Sequence, residues 1–151
     1  MENTNIRPAT HRADLSKELK LITINYLEGG GALNLLQPIF DQVERSPDRV
    51  AISCSQEQLT YVQLRQRVSS VANGLRQHGI RHARVAILSA NRIEFVEVFL
   101  GAIQAGSVPV LLDPTWDDVQ LNAMLQHCQA ELLFVEQQHV RALGDGLPVV
   151  L

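Results

Sequence analysis

The 151 residues include 46% hydrophobic and 19% charged side chains, and 13 Lys+Arg against 16 Asp+Glu leave a formal net charge of −3. That balance predicts a folded globular domain rather than a disordered chain, and it lacks the basic footprint of a nucleic-acid binder. No apolar run approaches the roughly 18 residues that span a bilayer, so no membrane segment is expected. Cys54 and Cys128 lie far apart without CxxC or CxxH spacing, which predicts reduced thiols and neither a disulfide framework nor a structural zinc site. The first residues, Met1 to Asn5, have no basic segment leading into an apolar core. A cytoplasmic chain without a secretory leader is the expectation.

Residues 1–32 read as an N-terminal extension, polar from Met1 to Lys20, with a short strand over Leu21–Leu27 broken by Gly29-Gly30-Gly31. Residues 33–151 read as one regular domain. Leu35, Leu36, Ile39, Phe40 and Val43 recur at helical spacing and predict a helix over 33–45, although Pro38 invites a kink inside it. Val50–Cys54 and Gln58–Thr60 predict a hairpin across Ser55-Gln56-Glu57. Thr60 with Gln63 forms a capping box for the next helix, whose apolar stripe is Tyr61, Leu64, Val68, Val71, Ala72 and Leu75, ending near Gly79.

Strand and helix then alternate. Val85–Leu88 predicts a strand buried on both faces. Asn91 with Glu94 predicts a second capping box, opening a helix that presents Phe95, Val98, Phe99 and Ala102 and stops at Gly106. Val108–Leu112 is the next strand; Thr115 with Asp118 predicts the cap of a helix whose face is Leu121, Met124, Leu125 and Cys128. Leu132–Val135 is a strand, Glu136–Leu143 a helix closed by Gly144, and Val149–Leu151 opens a last strand. Such units predict an α/β fold with a parallel sheet and right-handed crossovers. No helix follows the final strand in the sequence, so the sheet is expected to be incomplete at that end.

Ligands of an open α/β sheet sit beyond the carboxyl ends of its strands, here Ser89–Arg92, Asp113–Trp116 and Glu136–His139. None of these turns contains a glycine that would let backbone N–H groups approach a phosphate. Gly29-Gly30-Gly31 fails the dinucleotide fingerprint at Asn34 and reads as a joint. Asp113 could hold a metal or a ribose, but with no second carboxylate paired to it on a neighbouring strand end, a turn role beside Pro114 is favoured. Trp116 could stack on an aromatic ligand or pack a helix onto the sheet, and packing is favoured. His11, His78, His82, His127 and His139 are scattered. Arg76, His78, Arg81, His82 and Arg84 read as a solvated basic face before an anion site. His127 and Cys128 point about 100° apart on a helix, which argues against a Cys–His nucleophile. Neither Ser69-Ser70 nor Ser89 lies in a GxSxG elbow. The residues predict no catalytic, cofactor-binding or metal site.

From about Asn34 onward the chain resembles the start of the AMP-forming adenylating enzymes, a family that includes acyl-CoA synthetases, nonribosomal adenylation domains and luciferase-type ligases. Leu59-Thr60-Tyr61-Val62-Gln63-Leu64 is similar to the family's first core motif. Arg84–Leu88 followed by Asn91-Arg92-Ile93-Glu94-Phe95 resembles its strand, loop and helix. Leu100-Gly101-Ala102-Ile103-Gln104-Ala105-Gly106-Ser107-Val108-Pro109, running on to Asp113-Pro114, resembles its second core motif. His82-Ala83 stands where members commonly have Gly-Asp, and Val110-Leu111 replaces a more usual single apolar residue. The Phe95–Phe99 helix and the Ser107–Val110 run look slightly more like acyl-CoA synthetases than peptide-synthetase domains.

The resemblance implies a parent reaction that activates a carboxylic acid with ATP and transfers it to CoA or a carrier thiol, with ATP, Mg²⁺ and CoA as its cofactors. The family's phosphate loop, adenylate-holding motifs and catalytic lysine all come later than the matched stretch. This chain is therefore expected to be an inactive N-terminal portion, binding no cofactor alone. The alternatives are an interaction module, docking through its open sheet onto the remainder of the ligase or a second copy, and a self-contained ligand-binding domain.

Overall fold

A computed structural model describes residues 34–136 and 147–150. The chain divides into two units, Met1–Leu35 and Leu36–Leu151, and the elements named below belong to the second. The expected strand over 21–27, the glycines at 29–31, most of the expected helix over 136–143, its closing Gly144, and Leu151 lie outside the described residues.

The first helix, α1 (Gln37–Arg45), begins four residues later than expected. Pro38 lies in its first turn, where the missing N–H has no helical partner to lose, so it starts the helix instead of kinking it. A hairpin follows, β1 (Val50–Cys54) and β2 (Glu57–Thr60), antiparallel with a register shift between Val50 and Ile52. The turn is one residue shorter than expected: Cys54 pairs with Glu57, leaving Ser55-Gln56, and Ser55 takes φ +55°, the left-handed state that two-residue hairpin loops use.

Helix α2 (Tyr61–Gln77) opens on the expected capping box. Gln63 N–H donates to Thr60 Oγ1 at 3.3 Å and Thr60 N–H donates to Gln63 Oε1 at 2.9 Å. Leu64, Val68, Ala72 and Leu75 bury one stripe, and Gly79 at φ +76° ends the helical path. Thr60→Ala removes one acceptor from the helix N-terminus. It is expected to cost about 1 kcal/mol, read as a lowered urea midpoint at unchanged m-value.

The remaining elements are β3 (Arg84–Leu88), α3 (Ile93–Ala105), β4 (Val108–Leu112), α4 (Asp118–Cys128), β5 (Leu132–Val135) and β6 (Val149–Val150). The four strands form a parallel sheet in the order β4-β3-β5-β6. Strand β3 is the buried centre, with Val85, Ala86, Ile87 and Leu88 each at most 1% exposed. Strand alternation divides the sheet into two faces. Val85 and Leu132 pack with Ala102 and Ala105 of α3 and with Ala72 and Leu75 of α2. Ala86, Leu88, Leu133 and Val135 pack on the other face with Leu121, Met124 and Leu125 of α4. The third apolar cluster joins α1, the hairpin, α2 and α3 through Leu36, Leu59, Leu64, Val68, Ile93 and Leu100.

Two further helix starts differ from expectation, and one helix face differs in part. The residue before α3 is Arg92, without a side-chain cap, so Asn91 and Glu94 form no capping box. The cap of α4 is Asp117 with Gln120, in place of Thr115 with Asp118: Gln120 N–H donates to Asp117 Oδ1 at 2.8 Å. Helix α3 buries Ile93, Leu100, Gly101, Ala102 and Ala105 and leaves Phe95, Val98 and Phe99 half-buried. Ala102 of the expected face is fully buried and Phe99 packs on the α1–hairpin cluster, whereas Phe95 and Val98 stay outside the core. Apolar residues surround much of this helix, so periodicity alone places its buried face only in part.

Candidate functional site

The carboxyl ends of β3 and β5 meet through one carboxylate. Glu136 Oε1 accepts from Ser89 Oγ at 2.7 Å and from Ala90 N–H at 2.8 Å, while Glu136 N–H donates to Leu88 O at 3.3 Å. Arg92 Nη1 stands 4.0 Å from Glu136 Oε2. Its guanidinium grips Glu94 at both oxygens, Nε to Oε2 at 3.2 Å and Nη2 to Oε1 at 2.9 Å. That pairing raises the Arg92 pKa, and the backbone N–H at the start of α3, then Arg92, hold the Glu94 carboxyl below its ordinary value. Single-sequence reasoning missed the role of Glu136. Its partners are 46 and 47 residues away in the chain, and only the β3–β5 register brings them together.

Beyond β4, Asp113 Oδ1 accepts from Thr115 N–H at 2.8 Å and from Thr115 Oγ1 at 2.7 Å. The arrangement is an Asx turn leading into α4, and the two bonds from Thr115 hold the Asp113 carboxyl below its ordinary value. A depressed folded pKa contributes stability above the unfolded pKa and loses it as pH falls through the folded one. Asp113→Ala is therefore expected to destabilise the chain at neutral pH, with the difference from the parent narrowing only as pH falls below about 4, when melting temperatures are compared across pH.

A cleft of about 460 Å³ lies beside Ser89, Arg92 and Glu136. Phe95 and Val98 of α3 form one wall, and Ile87, Phe134 and Val150 of the sheet form the other. Its polar rim is Ser89, Arg92, Glu94, Glu97 and Glu136. A second depression of about 530 Å³ is bounded by Trp116, Gln120, Ala123, Met124 and His127 on the outer side of α4. Trp116 packs against the α4-side core, as the packing reading expects, and its ring borders the outer depression.

The other singled-out groups do not converge. The Cys128 thiol donates to Leu125 O at 3.4 Å, while His127 borders the outer depression, so the two form no dyad. Ser70 Oγ donates to Gln66 O, and Ser69 Oγ accepts from Gln104. In the basic segment Arg76 bonds Asn73 and the Gln104 carbonyl, Arg84 bonds Gln129 Oε1, and His82 is held at φ +57°. Arg67, paired with Glu97 at 2.9 Å and with Glu57 at 3.3 Å, braces α2 against α3 and the hairpin.

The described residues do not fit a nucleotide triphosphate, its metal or CoA. The turns after β3 and β4 contain no glycine, and the one guanidinium on the cleft is occupied by Glu94. The rim carboxylates Glu94 and Glu97 are paired with Arg92 and Arg67, so the rim offers no free cation to a polyanion. Among the described residues no three His, Cys, Asp or Glu side chains come together to hold a metal. No helix among them is long and apolar enough to cross a membrane.

A parallel sheet with helices on both faces and a polar lock across its strand ends defines an α/β framework layer. Residues 39–149 match the family model described as AMP-binding enzyme. The chain belongs to that family. It is 30% identical over 118 residues to a medium/long-chain-fatty-acid–CoA/3-oxocholest-4-en-26-oate–CoA ligase of Mycobacterium marinum, a match covering 78% of this chain and 22% of that one. It is 32% identical over 121 residues to gramicidin S synthase 2 of Brevibacillus brevis, covering 79% of this chain and 3% of the relative. The solved benzoate CoA ligase of Burkholderia xenovorans LB400 superposes on 74% of this chain and 23% of its own, with TM-score 0.69 and 24% identity, a likeness of fold. The chain thus spans about a fifth of the length of the CoA ligase relative. The CoA ligase and gramicidin S synthase 2 match at similar identity, so identity does not choose between them.

Proposed function

We infer that the chain supplies the N-terminal framework layer of an ATP-dependent carboxylate-activating ligase. The parent enzyme forms an acyl-adenylate and passes the acyl group to CoA or a carrier thiol, and ATP, Mg²⁺ and CoA are held by regions outside this layer. The observation that carries the reading is the family match over 39–149, on a fold in which Glu136, Ser89 and Arg92 close the ends of β3 and β5 and the turns after β3 and β4 contain no glycine. The role of these residues is to present a rigid sheet. The remainder of the ligase is the partner, and the protein works in the cytoplasm.

An ATP–pyrophosphate exchange assay on the purified chain, run across aliphatic, aromatic and amino-acid carboxylates, is expected to give no exchange above a protein-free blank. Clear turnover with any acid would overturn the reading.

A further inference from the structure

We propose that Asn73 is a spontaneous deamidation site whose rate is set by opening of the last two turns of α2, and that the modification, once made, keeps those turns from re-forming.

Asn73-Gly74 is the one Asn-Gly pair in the sequence. In such a pair the backbone nitrogen of the glycine attacks the side-chain carbonyl carbon of the asparagine. The bond from Gly74 N to Asn73 Cγ forms, the Cγ–Nδ2 bond breaks, and ammonia leaves with the proton that Gly74 N gives up. Water then opens the five-membered imide at either carbonyl. The products are aspartate or, with the main chain rerouted through Cβ, isoaspartate. Glycine favours ring closure because no Cβ crowds the attacking nitrogen and its backbone turns freely. The reaction is intramolecular and consumes only water.

Helix α2 holds this chemistry back. Within it the Gly74 N–H points along the axis toward the carbonyl four residues earlier, and Gly74 O accepts from His78 N–H at 3.2 Å. Closing the imide requires Asn73 to leave helical dihedrals, which breaks that ladder. Ala72 and Leu75 anchor the flanks against Val85, Ala102 and Ala105. The same stretch is also weakened locally. Asn73 is exposed and lies near the helix end at Gln77, where helices fray. A Cβ at Gly74 would meet nothing within 4 Å, so packing does not call for glycine there. Glycine at such a position costs about 1 kcal/mol against alanine.

The products fit the helix poorly. Isoaspartate adds a methylene to the main chain and puts the later N–H groups out of step with their carbonyls. Aspartate places a negative charge near the C-terminal end, where the macrodipole opposes it. Arg76 Nη1, 3.5 Å from Asn73 Oδ1, offsets that charge in part. Arg76 also bonds the Gln104 carbonyl of α3, so loss of these turns would loosen the α2–α3 seam.

Peptide-resolved mass spectrometry of the purified chain, aged at mildly alkaline pH in buffer and in denaturing urea, measures the rate at each asparagine. In urea Asn73 is expected to deamidate faster than Asn91 and Asn122. Folding should slow it by at least about tenfold, equal to about 1.4 kcal/mol of opening free energy. Leu75→Ala, which removes an anchor, should speed the folded chain by about threefold or more. Gly74→Ala meets no neighbour, so it should fold, and in urea it should slow Asn73 to the range of Asn122, which also precedes an alanine. The isoaspartate form, separated and returned to buffer, should unfold at a lower urea midpoint. Equal rates in buffer and urea, or a Leu75→Ala chain no faster than the parent, would remove α2 from control and overturn the proposal. So would a Gly74→Ala chain as fast as the parent in urea, or an unaltered midpoint for the isoaspartate form. If Leu75→Ala does not fold, the buffer-to-urea ratio and Gly74→Ala still decide.

Discussion

Leu133→Ala is expected to lower the unfolding free energy by about 2–5 kcal/mol, the range for emptying a buried leucine site. Leu133 is 0% exposed and sits at the centre of the α4-side core, among Ala86, Leu88, Leu112, Leu121 and Val135. Its register partner on β3 is Ala86, too small to swing into the vacated space, and Val149 lies on the other side. The backbone around it is held by two parallel ladders, so collapse of the cavity is opposed. Domains of this size have only about 5–15 kcal/mol in total, and the loss should be visible as a large fall in urea midpoint with the m-value retained. A change below about 1 kcal/mol would mean that β5 is not the buried strand described.

Gly101→Ala should destabilise despite improving helix propensity. A Cβ at Gly101 would stand 2.6 Å from Val71 Cγ1, 2.7 Å from Val71 Cβ and 3.2 Å from the Val68 carbonyl oxygen. The first atom could rotate away, but the Val71 Cβ and the carbonyl are fixed to α2, so the helices must separate. Overpacking of this kind costs about 1–3 kcal/mol, while the Gly-to-Ala gain in an exposed helix is about 1 kcal/mol. The clash therefore wins or, at the least, cancels the gain. Val71→Ala in the same chain should relieve only part of the loss, because the Cβ remains. Additive single and double variants in chemical denaturation would contradict a direct α2–α3 contact at this point.

Much of the fold was legible because local chemistry and tertiary structure agree. Thr60 and Gln63 cap where the pattern places them, Gly106 terminates α3 at φ +85°, and the apolar run Val85–Leu88 is the buried centre strand. Expectation failed where several local choices were available. Asn91, Thr115 and Asp117 all have side chains suited to capping, and only the geometry of the turns selects Asp117 and rejects Asn91. The buried face of α3 was placed only in part, because Phe95 and Val98, which the core does not use, are as apolar as the residues it buries.

The site was less legible than the fold. Its central group, Glu136, is defined by a register across β3 and β5 that no spacing rule records. The difference between His82 and the glycine common in the resembling family also acquires a physical meaning: this position takes φ +57°, which glycine adopts freely and histidine at a cost. Asp113, by contrast, could be placed in its turn from sequence because its partner, Thr115, is two residues away.

If this layer supports an adenylating centre without holding one, the purified chain should be blind to the ligands of that centre. Calorimetric titration with Mg·ATP, and separately with a non-hydrolysable acyl-adenylate analogue, asks the question without any dependence on turnover. Heats of dilution alone are expected for both. Saturable binding of either, weakened by substitution of a strand-end residue such as Arg92, would place the centre within this chain and end the framework reading.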